Sequence, residues 1–529
     1  MLFALPQAIS VEVGAAGRDV SLTFKVLFYL ACFAFLYLHL FILPAIPIYY
    51  ESDQVNLLND AKRFAEGEII YRDYFEFIFP GSHTFFALLI YLFGPKYWLM
   101  SAAILGQGLL AVYLGVLISR RLFANPVITY LPSAIYLFFG FRWFGLDGEH
   151  RMFSPLFAYL AILVLLAGRN LKAIALAGFF CALTSFVTQQ RGFLVAGAIG
   201  AFLFIEFGIV RREWGSFLKY CAVLMFAFLG GLLLLISPYA LSTGPEKFFS
   251  DTILFIRAYA SDPNTNSLNT YLSTLFKIKS LGMIMFGMSV FYSVLIPLIY
   301  LVVIVLSARK GKRDGFPSVA GILIVSLIGL FLSAATTGPN VFRLFQVAIP
   351  ATIALVWVIS QTRKLTPAMA KLAIVSLACL GLFLGIRVQS AWDAQTLDTA
   401  SGRLAFLSPV VQERYEWLLR NADPNDLVYE TYNSHVNFTL GLKNPTRMSI
   451  LLNTGYSPPE HVRWAVEDLK RSKPRYIIWD GAWNKEMDDL GEGEKLRPVF
   501  DLIRANYHLA ATFTPYDGRQ MEMWERNSF

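Results

Sequence analysis

Charge is what this chain has least of. Asp, Glu, Lys and Arg make up 16% of its 529 residues, whereas apolar side chains make up 56%. So little charge cannot solvate the two or three soluble domains that the length would otherwise allow. Cysteine occurs four times and histidine six. Cys32, Cys181, Cys221 and Cys379 all lie inside apolar runs without a CxxC pair, so neither a disulfide framework nor a thiolate metal site is indicated. There is no P-loop, no GxGxxG after a strand, no HExxH and no GxSxG, which argues against the nucleotide-binding, zinc-protease and serine-hydrolase classes that depend on them. No small-residue cleavage pattern follows the first stretch, so no removable signal peptide is expected. The net charge of +8 is scattered in short clusters rather than gathered in a patch, and nucleic acid is not an expected partner.

What is abundant is apolar length. A spanning helix needs roughly 20 apolar residues, and on that template about eleven segments qualify. They cover 22–46, 97–119, 125–143, 152–168, 171–189, 192–210, 216–238, 281–307, 317–335, 342–361 and 368–388. Basic residues fall on alternate turns: Arg120 with Arg121, Arg169 with Lys172, Arg211 with Arg212, the run from Arg309 to Arg313, and Arg363 with Lys364. The positive-inside rule makes those turns cytoplasmic. The segment 1–21 is then cytoplasmic as well, while the 50–96 loop, the 144–151 loop and everything after 388 face outward. The expected fold is a polytopic α-helical membrane domain over 22–388, carrying an extracytoplasmic α/β domain over 389–529.

The first outer loop is unusual. Residues 53–67 place Val55, Leu58, Ala61, Phe64 and Ala65 at three- and four-residue spacings, the pattern of an amphipathic helix lying in the interface. Ser52 stands at its N-cap and Gly67 at its end. The apolar run 80–93 is short for a span, and counting it as one would put every basic turn outside. It is read as a second, interfacial helix. The aromatics Tyr71, Tyr74, Phe75, Phe77 and Phe79 suit either a sugar-stacking surface or an interfacial belt. Beyond 389, helices near 409–421, 458–470 and 493–505 alternate with short strands at 427–430, 475–479, 508–513 and 520–525, as in a small α/β domain.

Ionisable groups at membrane depth are costly, so those gathered at the outer ends of spans are candidates for function. Asp53 heads the first loop. It serves there either as a first-turn acid facing the helix dipole, worth ~0.3–1 kcal/mol, or as a base taking a proton from an acceptor. Arg72, Asp73 and Glu76 follow in the same loop. Asp147, Glu149, His150 and Arg151 crowd a second outer loop, where either carboxylate can be the second acidic site. Gln190 and Arg191 close one span and Arg343 opens another, each guanidinium being able to grip phosphate oxygens or to snorkel. No residue is assigned to a metal: six scattered histidines form no ligand spacing, although a divalent ion is compatible with the carboxylates.

These features resemble the GT-C superfamily of polyprenyl-phosphate-sugar glycosyltransferases, in its protein O-mannosyltransferase and aminoarabinose-transferase branch. The resemblance rests on the acid after the first span in the run Tyr49 to Gln54, on the helix leading to Tyr71, Arg72 and Asp73, and on Pro80–Gly81 opening a second helix that ends at Gly94. It implies an inverting transferase on the outer face of a membrane, expected to be the bacterial plasma membrane. The donor would be a polyprenyl-phosphate-linked sugar and the acceptor a lipid, glycan or protein. Asp53 takes the base role by resemblance, with Asp147 or Glu149 at the second acidic position. The mannosyltransferases carry an adjacent acidic pair where this chain has Asp53 followed by Gln54, which makes protein mannosylation a poorer fit. The rival readings are a transporter or flippase of lipid-linked sugars, against which no internal repeat is evident, and a non-catalytic membrane scaffold.

Overall fold

Pro44 ends the first helix early. A proline ring clashes with the carbonyl four residues back and disfavours helix at the residue before it, and α1 runs only from Leu22 to Leu40. The expected span to residue 46 is shortened accordingly. Phe41–Ile42 and Ile46–Tyr49 instead form strands β1 and β2. The computed structural model describes residues 20–141, 145–146, 148, 150–260, 287, 290–334, 341–362, 365–392, 395–406, 408–514 and 520–527. Asp147, Glu149, Arg363, Lys364 and the segment 1–19 lie outside them.

Helices α2 (Asp53–Ala65) and α3 (Gly81–Phe93) follow, then α4 (Trp98–Arg120), α5 (Ile128–Phe141), α6 (His150–Ala167), α7 (Leu171–Val187), α8 (Gln189–Val210) and α9 (Trp214–Thr243). A broken helix, α10, covers 245–260. Then come α11 (Ile296–Asp314), α12 (Pro317–Ala334), the short α13 (Val341–Phe345), α14 (Ile349–Thr362) and α15 (Pro367–Trp392). Among the described residues, seven helices are long and apolar enough to cross a membrane: α1, α4, α6, α8, α9, α12 and α15. The apolar α5, α7 and α14 are shorter, and the span expected over 281–307 corresponds to 291–314, its first part lying largely outside the described residues. The protein is a polytopic helical membrane protein. Its α3 is a 13-residue helix packed against α2.

Two small sheets stand at the end of the bundle that carries α2. One has the order β1-β2-β4-β3, with β3 (Thr396–Thr399) and β4 (Gly402–Phe406) following α15. Strand β2 pairs in parallel with β4, Ile48 opposite Ala405 and Tyr49 opposite Phe406, so the first loop completes a sheet of the C-terminal region. The other sheet has the order β5-β6-β8-β7, made of Val428–Glu430, Tyr476–Asp480, Met521–Arg526 and Tyr507–Phe513. Helix α16 (Pro409–Asn421), the short α17 (His435–Thr439) and α18 (Pro459–Ser472) pack around these sheets. The α/β pattern expected from 409 onward is present, each element lying within a few residues of its predicted bounds. Strands β1 to β4 were not foreseen. Val428 and the two residues after it form β5, inside the expected strand at 427–430, and pair in parallel with Tyr476 to Ile478.

The bundle closes where side chains are smallest. A Cβ on Gly178 of α7 would stand 2.6 Å from the Leu224 carbonyl of α9, so these two helices touch at backbone distance. Gly178→Val should therefore lower stability by about 1–3 kcal/mol, whereas Gly230→Val, whose Cβ meets nothing within 4 Å, should be close to neutral. Melting temperatures of the two detergent-solubilised variants check this.

Candidate active site

Helix α2 has two faces with different duties. Val55, Leu58 and Ala61 are buried in the main core, as the apolar spacing predicts. Its cavity-facing stripe is Asp53, Asn56, Leu57 and Asp60, at i, i+3, i+4 and i+7, which is one side of a helix two turns long. An amphipathic helix at an interface would leave its polar face in water. Here Gln54, Asn56, Asn59, Asp60 and Arg63 are all buried, and the C-terminal domain bonds Asn56, Asp60 and Arg63. Asn56 Oδ1 accepts from the Ser434 amide at 2.8 Å and its Nδ2 donates to Asn433 at 3.0 Å. Ser449 donates to Asp60 at 2.6 Å, and Arg63 donates to the Thr446 carbonyl at 3.1 Å. Ser52 occupies the N-cap position but makes no side-chain cap bond. Gly67, at φ +102°, closes the helix as expected: its amide bonds Phe64, and the Glu68 amide reaches back to Arg63.

Gln54 has a structural reason for being neutral. Its Nε2 donates to the Tyr97 hydroxyl at 2.9 Å and its Oε1 accepts from the Gly148 amide at 2.8 Å. An ionised carboxylate offers no donor to Tyr97 or to the Tyr50 carbonyl. Gln54 thus ties α2 to the start of α4 and to the loop before α6.

The α2 stripe lines a cavity of about 200 Å³. Glu76 and Phe77 close it on one side and His83 of α3 on another; opposite stand His150 and Arg151 of α6, Gln190 of α8 and Arg343 of α13. The roof belongs to the C-terminal domain, through Tyr432, Asn433 and Tyr456. The cavity therefore has an acidic wall from the first loop and a cationic wall from the helix ends. Arg191 is buried behind the second wall, donating to the Arg151 carbonyl, to Ser154 at 2.9 Å and to Gln346 at 3.4 Å. It lines a smaller adjoining space of about 40 Å³ with Arg151, Gln190 and Arg343.

Of the residues singled out in the sequence, Asp53, Glu76, His150, Arg151, Gln190 and Arg343 thus face one cavity. Arg72 and Asp73 do not: they pair with each other at 2.9 Å on the surface of the turn between α2 and α3, because the loop turns its aromatic side inward. Asp147 and Glu149 fall outside the described residues. The aromatics are neither belt nor open platform, since Tyr71, Tyr74 and Phe79 are buried in the main core and Phe75 inserts into the core of the C-terminal domain. Phe77 is the one of the five that lines the cavity.

Asp60 and His83 were not anticipated. Asp60 lies seven residues after Asp53, a spacing that places both on one helix face, and that was the available signal. Burial and the neighbouring Glu76 push the Asp60 carboxyl up to about 6. Burial opposes a charge on His83, but the bonded Glu76 and nearby Asp60 outweigh it and raise its pKa.

Beside the polar cavity runs an apolar groove of about 680 Å³ between α3, α4, α6 and α7, lined by residues such as Phe85, Leu89, Ala103, Gly106, Phe153 and Phe186. Helix α3 is the wall they share, with Gly81 and Ser82 on the groove and His83 on the cavity.

No protein-family model matches this chain, and no curated protein sequence does. Solved structures do. ArnT from Cupriavidus metallidurans bound to undecaprenyl phosphate superposes with a TM-score of 0.59 at 11% identity, covering 95% of this chain and 98% of that one. This is the GT-C fold. The same enzyme in its apo state gives a TM-score of 0.56 at 12% identity with the same coverage. The Archaeoglobus fulgidus oligosaccharyltransferase gives 0.48 at 13% identity over 96% of this chain and 74% of that one.

In this version of the GT-C fold, one ion pair joins the first loop to the C-terminal domain. Glu51 bonds Arg414 of α16, whose side chain is 3% exposed, and lies 3.5 Å from His435. Burial alone would raise the Glu51 carboxyl, but Arg414 and His435 overcome it and hold it at about 2 against an ordinary 4.5. A carboxyl held down in this way stabilises the fold fully above pH 4.5 and loses that contribution as pH falls toward 2. Glu51→Gln should melt lower than wild type at pH 7, since it strands a buried guanidinium, and converge with it over that acid window. Parallel melting curves against pH would show that the pair contributes nothing.

Proposed function

We propose that the protein is a GT-C-type glycosyltransferase that takes a sugar from a polyprenyl-phosphate donor. One observation carries this reading: the polar cavity and the apolar groove share α3 as a wall. A ligand with a charged, hydroxylated head and a long apolar tail needs that pair of compartments side by side. The ArnT structure of the same fold was solved with undecaprenyl phosphate, a molecule of this description.

The chemistry follows from the two walls. The acceptor hydroxyl or amine enters under the roof of the C-terminal domain and gives its proton to Asp53, at the open end of the α2 stripe. The acceptor atom attacks the anomeric carbon as the bond to the phosphate oxygen breaks, inverting that carbon. The electron pair leaves with the polyprenyl phosphate, where Arg343 and Arg151 stabilise the growing negative charge. Asp147 or Glu149 serves as the second acidic position, on the loop that Gln54 anchors. The basic turns support an outward-facing cavity, and the membrane in this reading is a bacterial plasma membrane.

Two substitutions test the reading. Asp53→Asn should cut sugar transfer by about 10²–10⁴-fold at unchanged melting temperature; near-normal transfer would remove Asp53 from the mechanism. Gly106→Trp fills the groove at a position where an added Cβ meets nothing within 4 Å. Displacing two methylenes of a lipid tail costs about 1.6 kcal/mol, so the KM for a long-chain donor should rise more than tenfold, with little change for a short-chain analogue. An equal effect on both donors would place the tail elsewhere.

A further inference from the structure

We infer that a second pocket, between α10 and α18, holds an uncharged sugar ring of a glycan acceptor whose reacting end lies in the polar cavity. This pocket has a volume of about 560 Å³. Two pieces of chain part it from the polar cavity. Phe75 borders the pocket and Phe77 the cavity, while Phe255 borders the pocket and its neighbour Ile256 the cavity. The rings of Phe77, Phe255 and Tyr456 meet at centroid separations of 5.4–5.6 Å and form the partition. The two compartments are thus one aromatic layer apart, close enough for neighbouring rings of one glycan.

His461 carries the recognition. It lines the pocket at 5% exposure, and Phe255 and Trp464 stack against it at 5.6 and 5.2 Å, with interplanar angles of 22° and 25°. The stacking fixes the plane of the imidazole. Its side chain makes no hydrogen bond to a described residue, and Nδ1 is buried without one. Burial and the nearby Lys247 hold its pKa down at about 4, so the ring is neutral at pH 7. A neutral imidazole offers one donor and one acceptor, and a sugar hydroxyl can satisfy either.

The remaining lining selects against other ligands. Glu246, Asp251 and Glu460 border the pocket beside Lys247, whose ammonium is bonded to Asp251. A phosphate or another anion would meet net negative charge there. A cationic ligand finds the Trp464 ring already faced by Lys247 and Arg447, at 5.6 and 5.3 Å. A peptide strand finds no sheet edge to extend, since the lining comes from α10, α18 and the turns before α3 and α18. A neutral hydroxylated ring meets none of these obstacles. Its hydroxyls have carboxylates and an imidazole to bond, and its C–H face has Leu254 and Trp464 to cover it.

Calling the glycan an acceptor rests on the transferase reading, whereas its binding is read without a donor. Full-length protein in detergent, fluorescently labelled, is applied to a printed array of neutral, sialylated and sulfated oligosaccharides. Binding confined to neutral glycans of two or more rings is expected. Ser250→Trp fills the pocket from an exposed position and should weaken the best-bound glycan by about tenfold or more. His461→Ala should weaken it by about three- to tenfold. Ser250→Trp leaves His461 and the carboxylates in place, which keeps the test decisive if His461→Ala fails to fold. A wild type that binds no arrayed glycan overturns the site. So does a preference for acidic glycans, or binding that Ser250→Trp leaves unchanged. Glycan binding that Ser250→Trp abolishes, with no sugar transferred to that glycan from polyprenyl-phosphate donors, would keep the pocket and sink the transferase reading instead.

Discussion

Helix α2 buries five polar side chains, and four of them are held by partners from elsewhere in the fold. Burying an amide or a charge without a partner costs several kcal/mol; Asn56, Asp60 and Arg63 find partners in the C-terminal region, and Gln54 finds them at Tyr97 and Gly148. The α4 start, the loop before α6 and the 433–449 region of the C-terminal domain are all placed by bonds to this one element. The cavity is what remains open between them.

That arrangement explains why the C-terminal domain is not an appendage. Strand β2 of the first loop pairs with β4, Phe75 enters the core of the domain, and Glu51 meets Arg414. Three independent contacts hold the domain over α2, and the cavity roof is a consequence of them. Because the roof brings Tyr432, Asn433 and Tyr456 to the site, the domain contributes directly to what can enter beside Asp53.

The shared wall is the second organising feature. Helix α3, 13 residues long and largely apolar, packs between α2 and the bundle. Its first turn separates two environments: Ser82 faces a groove with apolar lining, and His83 faces carboxylates. A charged compartment and an apolar one therefore open within one turn of helix of each other.

How much of this was legible in the sequence differs from element to element. Hydropathy determined the polytopic bundle, because a bilayer demands apolar length whatever the tertiary contacts are. The short run 80–93 was readable as a helix of its own for the same reason. Gly67 marked the end of α2, since a left-handed residue there requires glycine, and the acids and arginines of separate outer loops were readable as one group. Tertiary structure alone decided which of them share a cavity. Arg72 and Asp73, indistinguishable from Glu76 by composition, turned to the surface because the loop buries its aromatics. Asp60 and His83 joined the site because the polar side of α2 is roofed rather than solvated, and no local pattern reports what covers a helix face. The strands at 41–49 and 396–406 escaped notice because the sheet is joined through β2 and β4, Ile48 opposite Ala405, and pairing between such distant residues leaves no periodicity to read.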